Sequence, residues 1–192
     1  MVIRKSQPED SGEIMRIYAH ARQFMAEHGN PRQWGATSWP PASLIQNDIA
    51  VGKSYVCQDK QKILTVFFYV FGADIEPTYH AIHKGGWEDE TPCGVVHRLA
   101  AAEGSRGAGS FCLNWAFAQS GHLRVDTHAD NVVMQNLLKK LGFSYRGVIY
   151  VVEDDDPRLA YEKSGTKHMT ILRKAVENPE TYCSEQTRML LG

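Results

Sequence analysis

One stretch decides most of what this chain can become. Gly104-Ser105-Arg106-Gly107-Ala108-Gly109-Ser110 follows an apolar, strand-like run, Gly94 to Ala101, and leads into a helix-like segment, Phe111 to Gln119. Closely spaced glycines let a backbone approach a ligand without Cβ interference. Unpaired amides at the start of a helix favour phosphate. Arg106 adds a cation that keeps its proton. Strands separated by helices in this half of the chain imply a crossover and some parallel pairing.

The flanking pattern fills in the layers. Val2 to Lys5 reads as a short strand, and Asp10 with Glu13 resembles a capping box. Ile14, Ile17, Tyr18, Ala21, Phe24 and Met25 then recur at helical spacing, with Gly29 as the stop. Asn30 to Pro41 is an aromatic-rich loop holding Trp34 and Trp39, and Pro41 to Ala50 a second helix. Ser54 to Gln58 and Ile63 to Gly72 are two strands across the turn Asp59-Lys60-Gln61-Lys62. Ala73 to Pro92 reads as irregular. Leu123 to Thr127 is a strand and Asn131 to Leu141 a helix, with Val133, Met134, Leu137, Leu138 and Leu141 on its apolar side and Gly142 as its C′ residue. Phe143 to Val152 and Arg158 to Glu162 complete the strands, and Lys167 to Gly192 reads as a polar, helix-prone tail.

Composition excludes several classes. With 21 basic and 22 acidic residues the charge is nearly balanced, so no general nucleic-acid affinity is expected. No apolar run approaches membrane-spanning length, and the first residues lack a signal-peptide layout. Cys57, Cys93, Cys112 and Cys183 are scattered without CxxC spacing, which argues against a disulfide framework or a zinc site and fits the cytoplasm. His80 and His83 have a spacing a metal tolerates but lack a third ligand, so no metal is expected. The loop is not a Walker A motif, because no Gly-Lys-Ser/Thr follows, and it lacks the third glycine of a dinucleotide fingerprint.

Three segments together resemble the GCN5-related N-acetyltransferases: Val95 to Ala101, Arg106 to Ser110, and Asp126 to Asn131 leading to Leu141-Gly142-Phe143. The resemblance covers Val2 to Lys163. Gly107 and Gly109 match the two glycines of the family loop Gln/Arg-x-x-Gly-x-Gly/Ala, whereas Gly104 stands where Gln or Arg belongs. The fold this implies is a mixed α/β one: a mostly antiparallel sheet flanked by helices, its parallel central strands splayed at an acyl-CoA site. The division expected is an acetyltransferase domain over 1–163 and a helical extension over 164–192. The cosubstrate implied is acetyl-CoA. By the resemblance, Leu99, Ala100 and Ala101 would pair with its pantetheine, Arg106, Gly107, Ala108, Gly109 and Ser110 would hold its pyrophosphate, and Asn131 and Gln135 would line the pantetheine channel.

The chain departs from the family at the acid. The pattern Asn-x6-Tyr-x3-Gly-Phe places a tyrosine where this sequence has Leu138, and Cys93 and Gly94 occupy the neighbourhood of the glutamate base of some relatives. Substitutes are His97, an imidazole in the strand that should flank the thioester, His128, which follows the next strand where the two would splay apart, and Tyr150 as a phenol donor. Each has a bland alternative: a structural histidine, a solvated turn residue, a core tyrosine. Cys112 reads as a small helix residue rather than a nucleophile. Trp34, Tyr69, Tyr79, Trp39 and Trp87 are concentrated before the fourth strand, and Trp34, Tyr69 and Tyr79 are the expected acceptor-site wall, with loop packing as the alternative. Glu153 to Asp156 reads as a solvated turn.

The expected activity is direct transfer of acetyl from acetyl-CoA to the amine of a small molecule. A coenzyme A-binding module without turnover and an acyltransferase for peptide or protein amines stay open, as does a homodimer. No nucleic-acid or membrane partner is expected.

Overall fold

Val2–Lys5 forms β1, and Ser11–Glu27 and Ala42–Ala50 form helices α1 and α2 in the computed structural model, which describes residues 1–35, 38–88, 90–151 and 156–165. Next come β2 (Ser54–Asp59), β3 (Lys62–Gly72), β4 (Cys93–Ala101), α3 (Ala108–Ser120), β5 (His122–His128), α4 (Val132–Lys140), β6 (Ser144–Tyr150) and β7 (Pro157–Ser164). The strands make one sheet in the order β1-β2-β3-β4-β5-β7-β6. Among the described residues only the β4–β5 pairing is parallel. The acidic residues 153–155 and the tail from 166 lie outside the described residues, as does Cys183. Among the described residues no helix is long and apolar enough to cross a membrane.

Period-two alternation divides the core between two faces. On one face, Phe67, Tyr69, Val96, Leu123 and Val125 meet Cys112, Leu113 and Ala116 of α3 and Leu138 of α4. On the other, Val56, Val66 and Ala100 meet Ile14, Ile17 and Tyr18 of α1 and Ile45 and Ile49 of α2. Farther along that second face, Val95, Ile149 and Ala160 are covered by Tyr79 and by the partly buried Ile75, Ile82 and Trp87.

The segment between β3 and β4 thus acts as a third covering layer. It contains a 3-10 turn at Pro77–Tyr79 and a bridge from His83 to Val148. A buried carboxylate pins it down. Glu162 Oε2 accepts the Glu88 amide at 2.8 Å, and Oε1 meets His122 Nε2 at 2.9 Å and Arg124 Nε at 3.2 Å. Arg124 in turn lies over the Trp87 ring, 4.2 Å from its centre. Burial works against ionisation of Glu162, but His122 and Arg124 outweigh it and hold the carboxyl below its usual range.

Three local expectations change. Helix α3 begins at Ala108 rather than Phe111, because Gly107 at φ +80° is already its N-cap. Asp10 and Glu13 do not form a capping box: Asp10 accepts the Gln7 amide at 2.7 Å and pairs with Arg4, while Glu13 pairs with Arg16. Val133 is exposed rather than packed, since α4 borders an open cleft there.

Candidate active site

Strands β4 and β5 pair only at Gly94–Leu123 and Val95–Arg124. Past Val95 the β5-facing edge of β4 has no strand partner among the described residues. The cause is local to β4. Its register with β3 passes from Phe68–His97 to Val66–Ala100, so β4 carries one extra residue there. Arg98 takes up the bulge at φ +54°, a left-handed conformation unfavourable for a side chain of this size. Three contacts hold it. Its Nη2 meets Asp48 Oδ2 at 2.6 Å, its guanidinium lies 4.7 Å from the centre of the Phe68 ring, and its carbonyl accepts the Tyr18 hydroxyl at 3.1 Å.

The splay opens a cavity of about 740 Å³. Its trough is apolar, with Val96, Leu99 and Val125 from the strands and Met134 and Leu137 from α4. The C-terminal half of α1 and the following loop, through Ala21, Phe24, Met25, Gln33 and Trp34, form the opposite wall. Asn131 joins the two walls. Its Oδ1 caps α4 by accepting the Met134 amide at 3.0 Å, and its Nδ2 donates to Gln33 Oε1 at 3.0 Å.

The glycine loop closes one end of the cavity. The amides of Ser105, Arg106 and Ala108 are used within the loop. Those of Gly107, Gly109 and Ser110 find no acceptor among the described residues. Arg106 is exposed beside them on the cavity wall. A Cβ on Gly109 would stand 3.5 Å from Leu137 and 3.8 Å from Leu99, so this position is free to carry a side chain and carries none. Free amides, a helix N-terminus and a lone guanidinium suit a diphosphate. The apolar trough and the unpaired β4 edge suit an amide-bearing arm. The residues present therefore fit coenzyme A.

At the splay itself stands a polar network. Asp126 of β5 lines the cavity, and its Oδ2 accepts the Tyr79 hydroxyl at 2.9 Å. His97 lies between two carboxylates, with Nε2 2.8 Å from Glu76 Oε2 and Nδ1 3.5 Å from Asp126 Oδ2. Thr78 donates to Glu76 from both its amide and its hydroxyl. Burial opposes the charge on Glu76, but His97 and the Thr78 donors bring its pKa down to about 2. Burial and the neighbouring Asp126 push the Tyr79 phenol well up, so it stays a neutral donor.

The residues picked from sequence divide accordingly. Leu99, Ala100, Ala101, Arg106, Gly109, Asn131 and Trp34 all border the one cavity. Gly107 and Ser110 contribute amides at its end, and Ala108 is buried beneath the loop. Gln135 turns away and donates to the Ala129 carbonyl at 2.7 Å. His97 sits behind Asp126 rather than on the cavity surface. His128 is buried outside the cavity, accepting the Asp130 amide at Nδ1 (3.1 Å) with Nε2 3.2 Å from Asp156. Tyr150 is half exposed on the edge strand β6, against His83. Tyr69 packs with Tyr55 and Trp115 in the α3 core, where burial raises its pKa to about 12. Tyr79 is buried and reaches the site through Asp126.

Other expectations have equally definite outcomes. Trp87 donates its indole N–H to the Tyr79 carbonyl at 2.8 Å, and the Trp39 carbonyl accepts from Arg22 at 3.1 Å. His80 pairs with Asp74 while His83 bridges to Val148, so the two histidines do not converge. Cys112 is buried and its thiol pKa is raised by that burial. Leu138, at the family's tyrosine position, is fully buried in the α3–α4 core. Gly94 has no room for a glutamate: a Cβ there would come within 2.8 Å of Ser120 and 2.9 Å of both Leu123 and Tyr69.

Sequence reasoning missed Asp126, Glu76, Asp48 and Arg98. Asp126 had a signal, since period-two spacing along β5 places it on the polar face with His122 and Arg124. Asp48 and Glu76 come from distant elements, and their proximity to β4 has no local signature.

No protein-family model matches the sequence, and no curated protein matches it. Solved structures do. An acetyltransferase of the GNAT family from Streptococcus agalactiae is 32% identical, covering 85% of this chain and 94% of that one, with a TM-score of 0.72. A GNAT family acetyltransferase from Listeria monocytogenes (15% identity, 84% and 93% covered, TM-score 0.60) shares the fold. So does a ribosomal-protein-alanine N-acetyltransferase from Brucella melitensis (16% identity, 85% and 99% covered, TM-score 0.56). With the splayed strands, the glycine loop and this level of identity together, the chain belongs to the GCN5-related N-acetyltransferase family, the acetyl-CoA-dependent acetyltransferases.

Proposed function

We propose that this acetyltransferase moves an acetyl group directly from acetyl-CoA to the amine of a small molecule, without a metal. One observation carries the reading. A single cavity joins a phosphate-ready loop at one end to a carboxylate, Asp126, at the other, through the gap between β4 and β5.

When bound, acetyl-CoA supplies an activated acyl group on a thiolate leaving group. The amides of Gly107, Gly109 and Ser110, with Arg106, hold the diphosphate, and Leu99 to Ala101 offer backbone groups to the pantetheine. Trp34, set edge-on to Tyr18 at 5.8 Å, gives the acceptor side a rigid aromatic wall. Holding both reactants in one cleft contributes up to about 7–11 kcal/mol in favourable cases. The reading therefore does not depend on a tyrosine at position 138, where this chain has a buried leucine. The α1 wall, closed onto α4 through Gln33 and Asn131, leaves a bounded cavity suited to a small acceptor.

Calorimetry with acetyl-CoA, followed by release of free thiol in the presence of an amine panel, tests the reading. Heat of binding and amine-dependent thiol are expected. Absence of binding at millimolar acetyl-CoA overturns it.

A further inference from the structure

Asp126 has no role assigned by the sequence, yet it lines the cleft. It sits on β5 with its side chain 10% exposed, and that exposure is to the cleft. The even-numbered residues of β5, His122 and Arg124 among them, face the layer formed by the β3–β4 segment, while Leu123 and Val125 face α3. Asp126 therefore looks into the cavity from the face opposite α3, whose N-terminus carries the phosphate-ready amides. Its Oδ2 is engaged by Tyr79 and lies near His97 Nδ1. Its Oδ1 has no partner among the described residues, so one carboxylate oxygen remains for a ligand.

We infer that Asp126 is the amine-docking and proton-accepting residue of this enzyme, and that the acceptor is an aliphatic amine that arrives as its ammonium ion. The inference rests on the acetyl-transfer reading above. Most of an aliphatic amine, with a pKa near ~10, is charged at neutral pH and cannot attack. Its ammonium is attracted to the carboxylate. One N–H proton passes to Asp126 Oδ1, the freed lone pair forms the C–N bond to the acetyl carbon, and the C–S bond breaks. The sulfur leaves with that electron pair and takes the second proton from the nitrogen, giving amide and free thiol, and Asp126 returns its proton to solvent. Tyr79, His97 and Glu76 are positioning residues. Tyr79 fixes Oδ2, and the His97 ring, anchored on Glu76, keeps the carboxylate turned to the gap.

Thus β5 supplies the group that the crowding around Gly94 keeps out of β4. The charged and titratable neighbours that face Asp126 are Tyr79, His97 and, behind His97, Glu76.

The test compares the wild type with Asp126→Asn, which keeps the shape and the oxygen that accepts from Tyr79. The probes are acetyl-CoA with 2-phenylethylamine, putrescine and spermidine. Calorimetry with acetyl-CoA comes first, and wild type and variant are expected to agree within about threefold. At pH 7 the variant's kcat/KM for the best amine falls about 100-fold or more, the scale of a lost general base. The deficit then shrinks as pH rises, because solvent supplies free amine, about tenfold more per pH unit below the amine's pKa. His97→Asn lowers kcat and leaves acetyl-CoA affinity unchanged. Should Asp126→Asn misfold, Asp126→Ser serves in the same assay. A loss below tenfold, a loss that is constant with pH, or a wild type that binds acetyl-CoA yet acetylates none of the amines overturns the inference. Failure to bind acetyl-CoA at all instead removes the reading on which it rests.

Discussion

Removing Asp48 isolates the device that opens the active cleft. Asp48 and Arg98 form a 2.6 Å ion pair with side chains only 6% and 13% exposed. Among the described residues Arg98 Nε is buried without a partner, so the Asp48 carboxylate carries most of the compensation for the guanidinium charge. Asp48→Ala leaves that cation stranded over Phe68, which costs roughly 3–5 kcal/mol. For a chain of this size the melting temperature falls by roughly 6–20 °C. Arg98→Gly acts differently. It removes the charge and releases a left-handed backbone strain of about 1–2 kcal/mol. It also leaves Asp48 buried alone, and burial, the largest influence on that carboxyl, already raises its pKa. The double variant should therefore be more stable than Asp48→Ala, with a coupling energy of about 2–4 kcal/mol in a double-mutant cycle. Urea unfolding at pH 7 measures all four proteins, and acetyl-CoA calorimetry reports whether the cleft persists. If Asp48→Ala costs under about 1 kcal/mol, or if the two changes simply add, the bulge is not held by this pair and the argument fails.

Three other outcomes are expected. Gly109→Glu leaves the fold intact, because the Cβ meets only ordinary contacts at 3.5 and 3.8 Å, but puts a carboxylate at the proposed diphosphate site. Like charges so placed cost several kcal/mol, so calorimetry should show acetyl-CoA affinity about 100-fold weaker or worse. Leu138→Tyr restores the family's residue type without restoring an acid, because position 138 is fully buried in the core. Overpacking should cost about 1–3 kcal/mol in urea melts with no gain in thiol release. Acid should loosen the layer between β3 and β4: Glu76 and Glu162 have depressed folded-state pKa values, so their stabilisation is present above the ordinary carboxylate pKa and lost as pH falls through the folded values. Glu76, moved from 4.5 to about 2, contributes roughly 3 kcal/mol of that, read as a falling urea midpoint from pH 5 to 2. Asp48 has the opposite sign, since its pKa is raised, and offsets part of the loss as it protonates.

Much of the architecture was written in local pattern. Apolar spacing in α1 and the punctuation by Gly29 and Gly142 mark helices because 3.6-residue periodicity and left-handed C′ glycines are properties of short segments. The glycine-loop end of the cavity is legible for the same reason: Gly107, Gly109 and the start of α3 are contiguous in sequence. The polar network at the splay is not. Asp126, His97, Tyr79 and Glu76 come from two strands and a turn, and Tyr79 and Asp126 are 47 residues apart. Nothing local distinguishes a tyrosine that donates to a cleft carboxylate from one, such as Tyr69, that fills the core.

The hardest feature to foresee was a change of parity. Strict alternation along β4 would put His97, Leu99 and Ala101 on one face and Val96, Arg98 and Ala100 on the other. The bulge at Arg98 inserts one residue, so His97 and Ala100 share the face toward α1 and the β3–β4 layer, while Val96 and Leu99 share the face toward α3. A one-residue slip redirects every later side chain and turns the strand's free edge. It is also unusual that the left-handed position is not a glycine. The strain is tolerable because Asp48, Phe68 and Tyr18 hold the arginine from three directions. A glycine there would have revealed the bulge in the sequence; an arginine conceals it and binds α1 and α2 to the catalytic strand. The same residue that hides the cleft's geometry from a linear reading thus fixes that geometry in space, which is why loss of the Asp48–Arg98 pair is expected to show in both unfolding and acetyl-CoA calorimetry.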